Sequence, residues 1–554
     1  MRIVLAAAAL LGARSAGAQT FHGTVRDSTS HQPIAGAVFM LLDSSGVVLG
    51  RRITDEQGRY SIVVAGAPRW ARVVRIGFQP REVRLGAVDN GTAAYDLAML
   101  AVPTMLTAVS VRDKSHCAKR SDRAAALGLW EQARAGLLAT VVARETNTAS
   151  VYRLGFERNF DGASDKITRF VVRADSATGA SKSFTASLSA EDFVATGFVH
   201  DSAGDQLLFG PDADVLVDDA FASGYCFRLA GRVKARPTQV GLSFSPAHED
   251  NDRKRVDIDG TLWVDTAARA IVDIEYRYVG MAPVTDEYRP GGLVSFHQMP
   301  NGAVMIDHWY VRGVGARQDT ISTVAGDHVR TWLFASESGG DLASATWPDG
   351  SAWHAPLGAL QLHAVTAKGA PAAGARISLP DTPYRGTTDQ NGDVRISDLE
   401  PGPYTVSVST PPLSDIGLEI PTALKFVAVR DSTFVAKVKI TTPADWVADR
   451  CVAEHLWDVG DSVFVVGRLV DARGRPVPNI KASFLNEAAN GLWAVLPNFY
   501  TTGADGGFHV CNAAFTVATA IRIALTAPGW RPLAVDEELK PGLNAFLIRL
   551  PAAP

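Results

Sequence analysis

The chain has 554 residues, of which 20% are charged and 47% hydrophobic, and a formal net charge of -4. That length exceeds what a single hydrophobic core organises and predicts about three to five domains. The composition excludes a largely disordered chain, and the charge offers no footprint for a nucleic acid partner.

The first residues, MRIVLAAAALLGARSAGAQT, carry an early Arg, an apolar run from Ile3 to Leu11, and Ala16 and Ala18 in an A-x-A arrangement before Gln19. This pattern predicts a secretory signal peptide over residues 1–18, cleaved after Ala18. The run is far shorter than the roughly 20 residues that span a bilayer. No cysteine follows it to suggest a lipoprotein anchor, and no long apolar stretch comes later, so no transmembrane segment is expected. The reading is an exported protein that is periplasmic, at the cell surface or secreted.

A phrase near the N-terminus, RRITDEQGRY at 51–60, returns as RGTTDQNGDV at 385–394 and in altered form as YTTGADGGF at 500–508. Each copy sits in the same surroundings. A strand ending at Asp27 leads through Pro33 to Gly36 and Ala37. The order is kept in LQLHAVTAKGAPAAGARISL and again in VVGRLVDARGRPVPNIKASF. Asp55 with Gly58, and Asp389 with Gly392, predict tight hairpins: the glycine takes positive φ and the Asp carboxylate bonds neighbouring amides. In the third copy Gly503 replaces the first Asp, so the turn at Gly506 must be held differently. Short strands punctuated this often predict antiparallel sandwiches.

The pattern G-x-V-x-D, P-x-x-G-A, T-D-x-x-G-x-Y/F resembles the carboxypeptidase regulatory-like domain of bacterial exported proteins. The resemblance covers about residues 21–100, 358–440 and 462–550. It implies three seven-stranded, transthyretin-like sandwiches without catalytic groups, at 19–102, 358–442 and 446–554. The family is grouped with carbohydrate-binding-like folds, so it also implies glycan binding. LAMLAVPTMLTAVSVRDKS, after the first copy, resembles the junction before the plug of TonB-dependent transporters. No succession of barrel strands follows it, which leaves an accessory part in outer-membrane transport as one alternative.

Residues 103–116 read as a linker and 117–345 as a central α+β domain. RSDRAAALGLWEQARAGLLATVVA spaces Leu127, Trp130, Leu137, Leu138 and Val141 as one apolar helical face, with Arg134 intruding and Trp130 a core residue. In VDIEYRYVG, Val272, Ile274, Tyr276 and Tyr278 alternate with Asp273, Glu275 and Arg277, as in a strand with one wet face. GGLVSFHQMP and AVMIDHWYVRGV add further β segments. This helix plus a curved antiparallel sheet resembles, in pattern, the half-barrels that carry lipids or lipoproteins across the envelope. A lipid or lipoprotein carrier is therefore the main alternative function.

Four cysteines, Cys117, Cys226, Cys451 and Cys511, fit an oxidising compartment. Of the three pairings, Cys117 with Cys226 and Cys451 with Cys511 keep each bond inside one predicted domain. No C-x-x-C pair suggests redox or zinc chemistry. None of the twelve histidines starts H-x-x-E, and H-E-x-x-H, G-x-S-x-G and Walker patterns are absent from the sequence. The expectation is accordingly no enzyme, no metal and no cofactor. The acidic clusters HEDNDRK at 248–254 and PDADVLVDD at 211–219 lack a calcium-loop spacing and read as exposed turns. Exposed aromatics remain as candidate ligand contacts: Trp70 in the first module, and Trp493, Phe499 and Tyr500 in an expected long loop of the third. The overall reading is a mainly β, multidomain envelope protein that binds or scaffolds, with a glycan or protein as ligand.

Overall fold

A computed structural model describes residues 18–86, 91–102, 120–146, 148–178, 188–202, 205–230, 233–247, 255–299, 301–323, 326–418, 422–450, 463–487, 493–510, 520–526, 533–540 and 542–551. The expected signal peptide and linker fall almost wholly outside them. The protein is mainly β, and the chain divides into two compact units, Met1–Ala355 and Pro356–Pro554.

The first unit opens with a sandwich. One sheet places Ala18–Asp27 between Arg59–Ala65 and the short strands Thr92–Ala94 and Leu97–Met99. The other runs Val48–Ile53, Val38–Leu42, Trp70–Val74, Arg81–Arg84. Arg59–Ala65 alternates strictly, with Tyr60, Ile62 and Val64 buried. This is the period a strand shows when one face packs on a second sheet. Phe39 stacks on Tyr60 at 3.8 Å between the sheets. Burying a side chain such as Phe39 contributes about 1.5–3 kcal/mol.

Val38–Leu42, sequence VFMLL, does not alternate, and four of its five residues are buried. Phe39 and Leu41 enter the sandwich core, whereas Val38, Met40, Ile53, Val74 and Ile76 join the core of the central domain. A strand covered on both faces reads as a continuous apolar run. The first sandwich is therefore built into the central domain.

The partner surface is the 27-residue helix Arg120–Thr146. Trp130, Leu137 and Val141 are buried as expected, and so are Leu129, Ala133, Ala139, Val142 and Ala143, because the helix is covered on more than one side. Leu127, by contrast, is exposed. At Gly136 an added Cβ would lie 2.5 Å from Ile76 and 2.9 Å from Ile271, so only glycine lets the helix sit between sandwich and sheet. Trp130 stacks on Phe227 at 4.4 Å.

The central sheet is antiparallel. In spatial order its main path is Ile167–Thr178, Ser150–Phe160, Gly326–Thr346, Val304–Thr323, Gly291–Gln298, Ala270–Val279, Asp257–Asp265, Gln239–Pro246 and Tyr225–Leu229. Register shifts between neighbouring strands change which side chains share a face, and two of them bear on the polar groups of this sheet. One lies at Trp263/Val264 and the other at Ser295/Phe296. The first corrects the expected alternation in Ala270–Val279. Ile271 is buried while Val272 is half-buried, and Asp273 is buried and not wet.

The second unit holds two further sandwiches with the plan of the first. In one, Gly358–Val365 lies between Asp393–Leu399 and Thr433–Lys439, opposite the sheet Arg385–Thr387, Arg376–Ser378, Gly402–Ser409, Thr422–Ala428. In the other, Val463–Val470 lies between Gly507–Val510 and Gly542–Arg549, opposite Trp493–Thr501, Lys481–Glu487, Ala520–Thr526, Leu533–Glu538. In each module the first strand pairs antiparallel with one neighbour and parallel with the last strand. Leu413, Ile416, Trp446, Phe464 and Val466 form a small core shared by these two sandwiches.

Candidate functional site

The repeated turns have one geometry. Gly58, Gly392 and Gly506 have φ of 70°, 78° and 75°. A Cβ on any of them would meet a main-chain oxygen of Val25, Ala364 or Leu469 at 2.3–2.4 Å. Asp55 Oδ1 accepts from the Gln57 and Arg59 amides at 3.0 and 2.8 Å, and Asp389 Oδ1 from those of Asn391 and Asp393 at 2.8 and 2.9 Å. At Gly506 the carboxylate comes instead from Asp505, whose Oδ1 accepts from the Gly507 amide at 2.9 Å.

The threonine before each turn does more than the sequence suggested. Thr54 Oγ1 donates to the Ile34 carbonyl at 2.6 Å and accepts from the Ala37 amide at 2.9 Å. Thr388 repeats this with Ala372 and Ala375 at 2.6 and 2.9 Å, and Thr502 with Val477 and Ile480 at 2.9 and 3.0 Å. All three threonines are buried. Each clasps the loop after the first strand to the hairpin.

The aromatic candidates divide. Trp70 opens its strand and is 36% exposed. Trp493, Phe499 and Tyr500 lie in the strand Trp493–Thr501, at the edge of its sheet, and not in a loop. Tyr500 pairs in register with the fully buried Ala482 and meets the Phe484 ring edge-on at 5.5 Å, so it is half-buried against the core of this sandwich. Hydrophobic residues at the end of the expected loop fold into a strand because Lys481–Glu487 supplies a pairing edge.

Cys226 is buried on Tyr225–Leu229 and is disulfide-bonded. Cys117, Cys451 and Cys511 lie outside the described residues, as does the acidic run 248–254. The run 211–219 is not an exposed turn. Asp212 and Asp218 cap two short helices through the amides of Val215 and Ala220, at 2.9 and 2.8 Å. Asp214 pairs with Arg144, and Asp219 with Arg134, each at 2.7 Å. These carboxylates are engaged in holding the helix Arg120–Thr146.

The central sheet collects polar groups that the sequence scatters. Reading across strands in register, one row contains Trp263, Asp273, Ser295, His308 and Asp341. His308 Nδ1 lies 3.1 Å from Asp341 Oδ2, and Asp341 is nearly inaccessible. Arg236 pairs with Asp273 at 2.8 Å, also binds Glu275, and lies over the Trp263 ring. Burial lifts the Asp273 carboxyl above its ordinary range, while Arg236 opposes the shift. Asp307 is the extra residue of the bulge opposite Ser295/Phe296, and its Oδ1 is buried without a hydrogen-bond partner among the described residues. No sequence motif marks this row, because its members come from separate strands and meet only through register.

One of the two modules of the second unit matches a family model. Residues 360–416 match the carboxypeptidase regulatory-like domain. No curated protein matches the chain. Among solved structures, the chain is similar to the Bacillus anthracis TIE protein, with 10% identity over 63% of either chain and a TM-score of 0.14. The shaft pilin SpaA of Lactobacillus rhamnosus GG gives 9% identity over 35% of this chain and 97% of the pilin, also at 0.14. The 3-chlorocatechol 1,2-dioxygenase of Rhodococcus opacus 1CP gives 12% identity over 18% and 62%, at 0.14. The chain thus spans less than two thirds of the Bacillus protein and of the dioxygenase. Likeness at these TM-scores carries no argument about activity.

Proposed function

We propose that this is an exported bacterial envelope protein whose three sandwiches act by binding or scaffolding, with a glycan or another envelope protein as ligand. The observation that supports this reading is the triple recurrence of one clasp. In each sandwich the Thr and Asp groups that could do chemistry bind the chain's own backbone. Modules closed in this way are rigid platforms whose faces and edges are free to carry recognition. Export rests on the leader-like first eighteen residues and the cysteine usage. Among the described residues, no helix is long and apolar enough to cross a membrane.

Trp70 is an exposed aromatic that a sugar ring could stack on. The test is retention of the full chain on immobilised polysaccharides and on envelope protein extracts, comparing wild type with Trp70→Ala and Trp493→Ala. A loss of retention of about tenfold, with an unchanged circular dichroism spectrum, supports glycan binding at these positions. Equal retention of all three proteins overturns it. The lipid-carrier reading gains no support from the sheet face lined by Leu262, Ile274 and Val294. It shares one core with Trp130, Leu137 and Val141 of the long helix.

A further inference from the structure

We propose that Ser295, His308 and Asp341 form a site for acyl transfer to water, with a small carboxylic ester as substrate, on the central-sheet face turned away from the long helix. The proposal is independent of the binding assigned to the sandwiches.

The strands fix the arrangement. Val294 and Phe296 on one strand, and Trp309 and Val311 on the next, pack into the core with the helix. Ser295 and His308 therefore share the opposite face, directly across from each other in register, and Asp341 is opposite His308 on the other side. Residues so paired have Cβ atoms about 4.5–5.5 Å apart. The bulge at Asp307 immediately precedes His308, and such bulges re-aim the following side chain.

Asp341, with 1% of its side chain exposed, takes the proton-bearing Nδ1 of His308 at 3.1 Å. This bond selects the tautomer whose Nε2 is a free acceptor. His308 keeps 21% of its side chain exposed and Ser295 is half-buried, so both can be reached from solvent. Ser295 is the residue directly across from His308 in register, which puts its hydroxyl on the side of the imidazole opposite Asp341. The rings of the buried Phe156 and the half-buried Tyr310 flank His308 at 6.1 and 6.0 Å, and Tyr310 is the one an acyl group could lie against. Burial and the nearby Glu337 keep the Tyr310 hydroxyl protonated past its usual range, so it is available to donate to an oxyanion.

In the first half-reaction Ser295 Oγ bonds to the ester carbonyl carbon and its proton passes to His308 Nε2. The carbon–alkoxide bond then breaks and the alcohol leaves with that proton. In the second, His308 takes a proton from water, whose oxygen attacks the acyl-serine; the carboxylic acid leaves and Ser295 regains its proton. No oxidant, reductant or metal is required. His308 acts on the reacting atoms, whereas Asp341 is a positioning residue.

The test uses the full chain with a fluorophosphonate probe and with p-nitrophenyl acetate. The expected results are a covalent adduct on the Ser295 peptide, loss of that adduct in Ser295→Ala, and hydrolysis reduced at least about 100-fold in His308→Gln. Asp341→Asn should change the pH–rate profile as well as the rate, which loss of packing alone would not do. In His308→Gly, added imidazole should restore part of the rate. No adduct on the folded wild-type chain, or an adduct that persists in Ser295→Ala, overturns the proposal.

Discussion

Arg75 donates from Nη1 to the Arg269 carbonyl oxygen at 2.8 Å, joining a residue of the first sandwich to a turn 194 positions later in the central domain. Its Nε also donates to the Ala35 carbonyl at 3.0 Å. Burial pulls the guanidinium down to about 10, with Arg269 adding to the effect, so Arg75 is still charged at neutral pH. Truncating one partner of a buried, charged hydrogen bond is costly. Arg75→Ala is expected to destabilise the first unit by about 2–3 kcal/mol. The measurement is hydrogen exchange: amides at 34–37 and 269–271 should exchange faster together, and independent behaviour of the two segments would contradict the link.

Thr388 bridges Ala372 and Ala375 through one hydroxyl. Thr388→Val keeps the shape but leaves a buried amide and a carbonyl without a partner, a loss of roughly 1–3 kcal/mol. Thr388→Ser retains the bonds and should lose less. Urea unfolding of the three proteins decides between them, and equal midpoints for Val and Ser would show the clasp to be unimportant.

Gly392 and Gly369 both have positive φ, at 78° and 87°. Gly392 is crowded by the Ala364 carbonyl oxygen at 2.3 Å from an added Cβ, whereas nothing lies within 4 Å at Gly369. Gly369→Ala bears only the left-handed cost of about 1–2 kcal/mol. Gly392→Ala adds a clash with backbone that cannot rotate away. Thermal unfolding should therefore show a clearly larger drop for Gly392→Ala.

Burial lifts the Asp307 carboxyl above its ordinary 3.8. The neighbouring Asp341 adds to the lift, and His297 and His308 oppose it. The folded state then holds the proton more tightly than the unfolded state. This contribution is complete below 3.8 and is lost as pH rises through the folded value. Asp307→Asn should gain stability relative to wild type at neutral pH and show less decline above pH 4. Parallel urea midpoints for the two proteins across that range would refute the assignment.

The cysteines make a covalent prediction. A non-reducing peptide map of the exported protein should link Cys117 to Cys226 and Cys451 to Cys511, with no free thiol. A crossed pairing would mean that the domain limits at these cysteines are drawn wrongly.

The turns were legible in the sequence because their causes are local. A glycine at positive φ and an Asp that accepts from amides two and four residues on need only neighbours along the chain, so Asp55, Gly58, Asp389 and Gly392 could be placed directly. The alternation of Arg59–Ala65 is similarly local.

Tertiary structure decided the rest, for one reason: faces and neighbours depend on strand register and on what covers an element. A single-residue shift at Trp263/Val264 turned Ile271, and not Val272, into the core, while Asp273 kept its expected face and is buried there beside Arg236. Pairing with Lys481–Glu487 made a strand of the aromatic segment and set Tyr500 half-buried against a core. Gly136, which looks like a weak point in a helix, is the place where sandwich and sheet close on it together. His308 and Asp341, 33 residues apart, become partners only because two long strands align, and spacing along the chain holds no trace of that alignment.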